Sequence, residues 1–338
     1  MARKILISSL GESPAVVTAT VDAIEREERI QLDEVIALRT RGIKVDSADS
    51  MLYDEFANFY KGRISYWSDG IDAFDVDDED SNMAFMEKAC QTIRAYNKQG
   101  DVYISLAGGR KTMSAIMALA AQLYGAKMLC HVLSVWEEEG RVDNLKRMRE
   151  DERQEIMHPK PEDVMLVRLP LVSLFPLMSD FIKALRGNAE IKTDISVVGL
   201  MQTNGLIERK EGKIEATSIG KQLLNLLEQV EMLPEPTLET PEDKFTKCDI
   251  RKHGYNGQLP KVEVFIKKLL RSPYIVKVDT APYARHQRTE IAEIHDDGTL
   301  TAYYRLRTFS AGLRIYTTAQ NKGQAQRVAK TLQTFFKK

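Results

Sequence analysis

The chain has 338 residues, 43% of them hydrophobic, and a formal net charge of −1, which is enough apolar material for two or three domains of roughly 100 to 200 residues each. No apolar run approaches the ~20 residues of a membrane span, and the opening MARKILISSLGESP breaks its short apolar stretch at Gly11 and Glu12 before any cleavage site, so a cytoplasmic protein with no membrane partner is expected. The small net charge hides an asymmetry: residues 244–338 hold 19 Lys+Arg against 7 Asp+Glu, and residues 1–243 hold 29 against 42. A tail this basic is a candidate for a polyanionic partner, of which nucleic acid is the commonest.

KILISSL at 4–10 is a short apolar run of strand type. In the next stretch Ser13 is a plausible N-cap and Pro14 a first helical residue, followed by apolar spacing on one helical face. DEVIALRT at 33–40 reads as a second strand and SADSMLYDEFANFY at 47–60 as a helix. An acidic loop at 69–80, a helix near 81–97, the strand DVYISLA, a helix from Arg110 and the strand KMLCHVLSV at 127–135 continue the alternation, with VMLVRLPLV at 164–172 as a last strand. Strands alternating with helices predict an α/β domain with a parallel, doubly wound sheet covered on both faces. Cys90, Cys130 and Cys248 lie far apart with no CxxC, so neither a disulfide framework nor a zinc site is expected.

Ligands of such sheets bind beyond the carboxyl ends of the strands, which here are SSLGESP, RTRG and LAGGRKTMS. In the third, Gly108 and Gly109 permit close backbone approach, the free N–H groups of a helix start attract anions, and Arg110 and Lys111 add charge. Neither GxxxxGK[ST] nor GxGxxG occurs there, so a nucleotide-hydrolase loop and a dinucleotide fingerprint are both absent.

The pairing of KILISSLGESPAVVT with a later SLAGGRKTMS resembles the CARF domain, the Rossmann-like sensor of cyclic oligoadenylates in type III CRISPR systems, over residues 1–170. The resemblance implies a homodimer with a ring of adenylates bound across its two-fold axis. It also implies that Ser9, Gly11 and Glu12 of the first loop, and Gly108, Gly109, Arg110, Lys111, Thr112 and Ser114 of the second, face that ligand. A symmetric ring of phosphates suits a site made by two copies of one patch, with cyclic tetra-adenylate favoured over cyclic hexa-adenylate. His131, in the apolar strand LCHVL, is either a core histidine or one more ligand contact.

Residues 171–232 read as a helix, a second short helix ending at Gly205, a two-strand wing turning at KEG and a closing helix, the order of a winged helix-turn-helix. The stretch DISVVGLMQTNG lacks Lys and Arg, which favours a spacer that transmits movement over a DNA reader. A linker is assigned to 233–243.

The basic tail, 244–338, reads as a small α+β domain. The helix PKVEVFIKKLLR precedes the strands RTEIAEI, LTAYYRLRTFS and LRIYTTA, and KGQAQRVAKTLQTFF closes it. Alternation puts Arg305 and Arg307 on one strand face, with Arg314 on the next strand beyond FSAG. A basic sheet face suits metal-free RNA cleavage, in which cations fix the phosphate and stabilise the transition state.

The spacing of Arg305, Arg307 and Arg314 is similar to that of the RelE toxins, which cut messenger RNA in the ribosomal A site. The resemblance implies that Arg305 and Arg307 bind phosphate or assist loss of the 2'-OH proton, and that Arg314 stabilises the pentacoordinate transition state. Tyr304, Tyr316, Lys322 or Arg327 would serve the leaving group. HEPN ribonucleases need an Arg and a His four to six residues apart, and Arg251-Lys252-His253 and Arg285-His286 do not provide that.

Together the segments resemble a cyclic-oligoadenylate-activated mRNA interferase of type III CRISPR defence, a metal-independent endoribonuclease with mRNA and ribosome as partners and no cofactor. Two alternatives stay open: a ring-responsive transcription regulator, and a CARF ring nuclease that degrades its own ligand.

Overall fold

The computed structural model describes residues 2–187, 195–210, 213–251, 259–282, 288–306 and 309–336. The chain forms two compact units, 1–230 and 231–338. Among the described residues no helix is long and apolar enough to cross a membrane.

Unit 1 is built on a six-stranded mixed sheet of β1 (Arg3–Leu10), β2 (Glu34–Arg39), β3 (Ser65–Gly70), β4 (Gly100–Ser105), β5 (Met128–Ser134) and β6 (Val164–Leu169). Their order is β3-β2-β1-β4-β5-β6, the order of a doubly wound sheet whose direction of growth reverses between β1 and β4. The crossover helices are α1 (Ala15–Glu28), α2 (Ile43–Asn58), α3 (Glu79–Asn97) and α4 (Lys111–Tyr124). Two short helices, α5 (Val142–Leu145) and α6 (Glu150–Met157), precede β6. β1 is buried from Ile5 to Leu10 without interruption, the pattern of a central strand covered on both faces. Leu6, Leu10, Val35 and Ala37 join α1 and α2 in one apolar cluster, while α3 and α4 pack together.

Three features depart from the sequence expectation. Strand β3 follows the predicted helix and takes in the first two residues of the expected acidic loop, Asp69 and Gly70. It sits at the sheet edge beside β2 and pairs Ser68 and Asp69 with Ala37 and Leu38, so polar residues occupy positions that an interior strand fills with apolar ones. β6 runs antiparallel to β5, so the sheet is mixed rather than parallel; β6 enters after the short helices instead of a full crossover helix. Helix α1 starts at Ala15 with Pro14 as its N-cap and no side-chain cap, so Ser13 does not cap it. By contrast Asp78 and Ser81 form a capping box that closes the acidic loop and starts α3.

After β6 come α7 (Met178–Leu185), α8 (Ile195–Thr203), the antiparallel pair β7 (Ile207–Lys210) and β8 (Lys213–Ala216), and α9 (Ser218–Glu231). The expected turn at KEG falls partly outside the described residues.

Unit 2 contains α10 (Pro241–Thr246), α11 (Leu259–Leu270), β9 (Ile275–Ala281), β10 (Glu290–Ile294), β11 (Leu300–Leu306), β12 (Phe309–Thr317) and α12 (Lys322–Phe336). The expected linker at 233–243 runs into α10, whose start is a capping box of Thr240 and Asp243. The sheet has four antiparallel strands in the order β10-β11-β12-β9, one more than expected, because IVKVDTA is a strand that pairs with β12. FSAG is not a turn; it lies within β12 and pairs with residues of β11.

Alternation sorts the sheet into two faces. Leu300, Ala302, Ala311, Leu313, Ile315 and Val278 are fully buried, and this face carries the helices: Phe265 of α11 stacks on Tyr304 with centroids 3.8 Å apart and meets Phe336 of α12 edge-on at 5.4 Å. The other face carries Thr301, Tyr303, Arg305, Arg314, Tyr316 and Lys277, each half-buried or exposed. Lys244, only 2% exposed, donates to the carbonyls of Leu270 and Ser272 at 3.0 and 2.9 Å and so closes the C-terminus of α11.

Candidate functional site

The reversal point between β1 and β4 opens into a cleft of about 290 Å³ lined by the loops after β1, β2, β3 and β4 and by the segment before α5. Its floor is made of backbone. A Cβ on Gly11 would lie 2.7 Å from the Cα of Gly109, so the two loops touch main chain to main chain. Gly108 has φ +92°, and a Cβ there would lie 2.5 Å from the Ser9 carbonyl oxygen. Only glycine meets both conditions. The Ser9 hydroxyl donates to the Gly108 carbonyl at 2.7 Å, and Ser114 donates to the Leu106 carbonyl at 2.7 Å, fastening the turn from both sides. The turn then brings Arg110 and the start of α4, the positive end of the helix dipole, to the cleft.

Charge at the rim is paired. Arg110, the residue before α4, reaches Asp75 with two guanidinium nitrogens, at 3.0 and 2.5 Å. These bonds hold the Asp75 carboxyl below the usual carboxylate range, with a smaller contribution from the Val76 N–H. Lys44 lies 2.7 Å from Asp143 and 3.6 Å from Glu12, and Arg141 lies 3.1 Å from Glu138. The wall thus presents guanidinium groups that a phosphate can claim only in competition with carboxylates.

Of the residues that the sequence assigned to a ligand, Gly11, Glu12, Gly108, Gly109 and Arg110 line the cleft. Lys111 and Thr112 are exposed in the first turn of α4 but are not among its lining residues. Ser9 is fully buried and, like Ser114, spends its hydroxyl on the turn, so both position the loop rather than face into the cleft. His131 sits in the middle of β5 opposite Val167 and does not line the cleft. Sequence reasoning passed over Asp75, Arg141 and Glu137; Asp75 carried the only prior signal, as part of the acidic loop.

In unit 2 the register separates the arginines. Arg305 pairs with Ser310, whereas Arg314 pairs with Thr301, four residues back along β11. The two share a face but stand about 13 Å apart at the rise of an extended strand. Arg307 lies outside the described residues. The face is not purely basic: Lys277 lies 2.7 Å from Asp279, and Arg314 lies 3.4 Å from Asp297. Tyr304 is on the opposite, helix-covered face, where burial pushes its hydroxyl above the usual tyrosine range, so it cannot serve a leaving group beside Arg314. Tyr316 is on the Arg314 face, with the guanidinium 5.6 Å from its ring centre. Lys322, at the start of α12, pairs with Asp296 at 3.3 Å, and Arg327 of α12 lies 3.8 Å from the Met232 sulfur. Among the described residues no group of three or more His, Cys, Asp or Glu side chains is placed to hold a metal ion.

A family model described as CRISPR-associated protein NE0113 (Cas_NE0113) matches residues 13–202, more than half of the 338. The matched segment runs from the loop after β1 into α8 and stops before β7 and all of unit 2. No curated protein matches the chain. Among solved structures, Enterococcus italicus Csm6 bound to cyclic hexa-2'-fluoro-hexa-dAMP is similar at 14% identity with a TM-score of 0.37; the match covers 68% of this chain and 55% of Csm6, so the chain spans little more than half of that protein's length.

Proposed function

The chain belongs to the CRISPR-associated NE0113 family, and from that premise we propose that it is a cyclic-oligoadenylate-responsive ribonuclease of type III CRISPR defence. The observation that carries the proposal is the backbone-built cleft at the sheet's reversal point, where the glycine turn, the start of α4 and the Arg110 guanidinium meet. In this reading a homodimer joins two clefts, and each half of a cyclic tetra-adenylate sets its phosphates against Gly108, Gly109 and Arg110 of one copy. Phosphate displaces Asp75 from Arg110. Ring binding activates only to the extent that the ring prefers the active state of the dimer.

The helices and hairpin of residues 178–231 act as a spacer. α8 carries neither Lys nor Arg along Ile195–Thr203, which leaves a DNA-reading helix without its usual phosphate contacts. Unit 2 cuts ribosome-associated mRNA by attack of the 2'-OH on the adjacent phosphate, without a metal, at its open sheet face.

The test is mRNA cleavage in a reconstituted translation reaction, with and without cyclic tetra-adenylate or cyclic hexa-adenylate, and with naked mRNA alongside. Ring-dependent cuts on translating ribosomes are expected. Ring binding with no RNA cut, coupled to ring-sensitive binding of one DNA sequence, would replace the ribonuclease by a transcription regulator; linear products from the ring would identify a ring nuclease.

A further inference from the structure

The open face of unit 2 gathers side chains that the arginine spacing did not anticipate. His295, just past β10, donates its backbone N–H to the Thr299 carbonyl at 2.9 Å, and its Nε2 lies 2.8 Å from Thr301 Oγ1. On the other side of β11, Arg314 stands in register with Thr301 and places a guanidinium nitrogen 3.4 Å from Thr299 Oγ1. Tyr316 follows on the same face, and the Lys277 ammonium lies 4.2 Å from its ring centre. Thr301 of β11 and Thr299 just before it are thus flanked by a histidine on one side and by an arginine, a tyrosine and a lysine on the other.

Metal-free cleavage of RNA needs a base at the 2'-OH, cations at the non-bridging oxygens, and an acid at the departing 5'-oxygen on the side opposite the attack. β10 and β12 flank β11 about 10 Å apart, at roughly 4.8 Å per strand spacing, which leaves room for one phosphodiester between base and acid. Resting on the ribonuclease reading above, we infer that His295 is the general base and Tyr316 the general acid of a site centred on Arg314. The base is the tautomer in which Nε2–H donates to Thr301 Oγ1; that bond positions the ring and leaves Nδ1, without a partner among the described residues, to accept the proton. Nδ1 takes the 2'-OH proton as the O2'–P bond forms; the P–O5' bond breaks, and the Tyr316 hydroxyl gives its proton to O5'. The products are a 2',3'-cyclic phosphate and a 5'-hydroxyl, and solvent returns the proton from His295 to Tyr316. Arg314 and Lys277 hold the non-bridging oxygens, the phosphate taking the place of Asp297 and Asp279 as their partners.

The experiment compares full-length wild type, His295→Gln, His295→Ala and Tyr316→Phe in the ring-activated cleavage reaction, with binding of a 2'-deoxy, uncleavable RNA measured in parallel. Both His295 variants are expected to lose about 10²–10⁴-fold in rate with RNA binding unchanged. Added imidazole is expected to restore part of the His295→Ala rate, which a purely structural role would not allow. Tyr316→Phe is expected to lose on the order of 10²-fold. Wild-type-like cleavage by His295→Gln, or loss without imidazole rescue and with weakened RNA binding, overturns the His295 assignment while the ribonuclease reading stands. Wild-type-like cleavage by Tyr316→Phe overturns the acid. No cleavage by wild type under any ring overturns both proposals.

Discussion

The cleft of unit 1 and the open face of unit 2 are built by opposite means. The cleft is main chain: two loops in contact through Gly11 and Gly109, a left-handed Gly108 and a helix start, with side chains added at the rim. The open face is side chain laid on paired strands, with one register shift in β10 between Ile291 and Glu293, so its chemistry depends on which residues stand opposite one another across β10, β11 and β12. A one-residue slip in register would move Arg314 and Tyr316 to the helix-covered face and destroy the cluster. Substitutions that alter backbone geometry should therefore damage unit 1's site. In unit 2, damage should follow a residue's place in the row of Thr301 and Arg314.

The largest effect that tests this contrast is at the arginines. Arg314→Ala is expected to slow ring-activated RNA cleavage by about 10²–10³-fold, the usual consequence of removing a transition-state charge contact. Arg305→Ala, about 13 Å away along β11, is expected to cost less than ~10-fold and to act mainly on RNA binding. Single-turnover cleavage beside binding of uncleavable RNA separates the two. Equal losses in rate at both positions would mean that the site runs along the whole strand and that the row does not define it.

Gly108→Ala probes the other construction. Its Cβ would lie 2.5 Å from the Ser9 carbonyl at a φ of +92°, so the substitution combines a main-chain clash with a strained backbone and is expected to cost roughly 2–3 kcal/mol. The melting transition of unit 1 should fall by about 4–12 °C and ring binding should be lost. Calorimetry with a ring-binding assay checks both, and retention of tight ring binding would show that the turn adapts and the cleft is not fixed by its backbone.

This difference also explains what the sequence made visible. A backbone-built site announces itself, because glycines packed against a strand end and followed by Arg-Lys are local features; SLGESP and AGGRK marked the cleft before any fold was known. What stayed hidden there came from elsewhere in the chain: Asp75 reaches Arg110 across 35 positions, and Ser9 and Ser114 turn their hydroxyls into the loop. In unit 2 the hidden part was larger. Strand β9 breaks its alternation at Val276 and Lys277, where the pairing with β12 shifts register, and FSAG has the Ser and Gly of a turn. With FSAG inside β12, Arg314 falls opposite Thr301 and away from Arg305, and Thr301 is the residue that His295 touches from the other side. The edge strand β3 was missed for a third reason: its polar Ser65, Ser68 and Asp69 lack the apolar run that betrays an interior strand.

The smallest expected effect comes from a cluster that belongs to neither site but shares the side-chain logic of unit 2 inside unit 1. His158, just past α6, lies 2.7 Å from Asp22 of α1 and 3.1 Å from Glu55 of α2, with the Phe59 ring stacked on it at 3.5 Å. Burial opposes its charged form, but the hydrogen bonds and charges of the two carboxylates outweigh that and raise its pKa. Burial likewise opposes ionised Glu55, and the hydrogen bonds from His158 and Gln154 bring its pKa below the usual value. A raised histidine contributes stability that is complete below its unfolded value of about 6.5 and disappears as pH rises through the folded value. A depressed glutamate contributes above its unfolded value of about 4.3 and loses that as pH falls through the folded one. Both contributions overlap between these two limits, so the melting temperature should be highest there and decline toward pH 8.5. His158→Gln is expected to flatten that decline and to cost about 1 kcal/mol at pH 6, leaving ring affinity unchanged because none of these residues lines the cleft. Melting followed from pH 5 to 8.5 measures the slope. An unaltered decline in the variant would remove His158 as its source, and a lost ring affinity would show that the helix layer and the cleft are not independent.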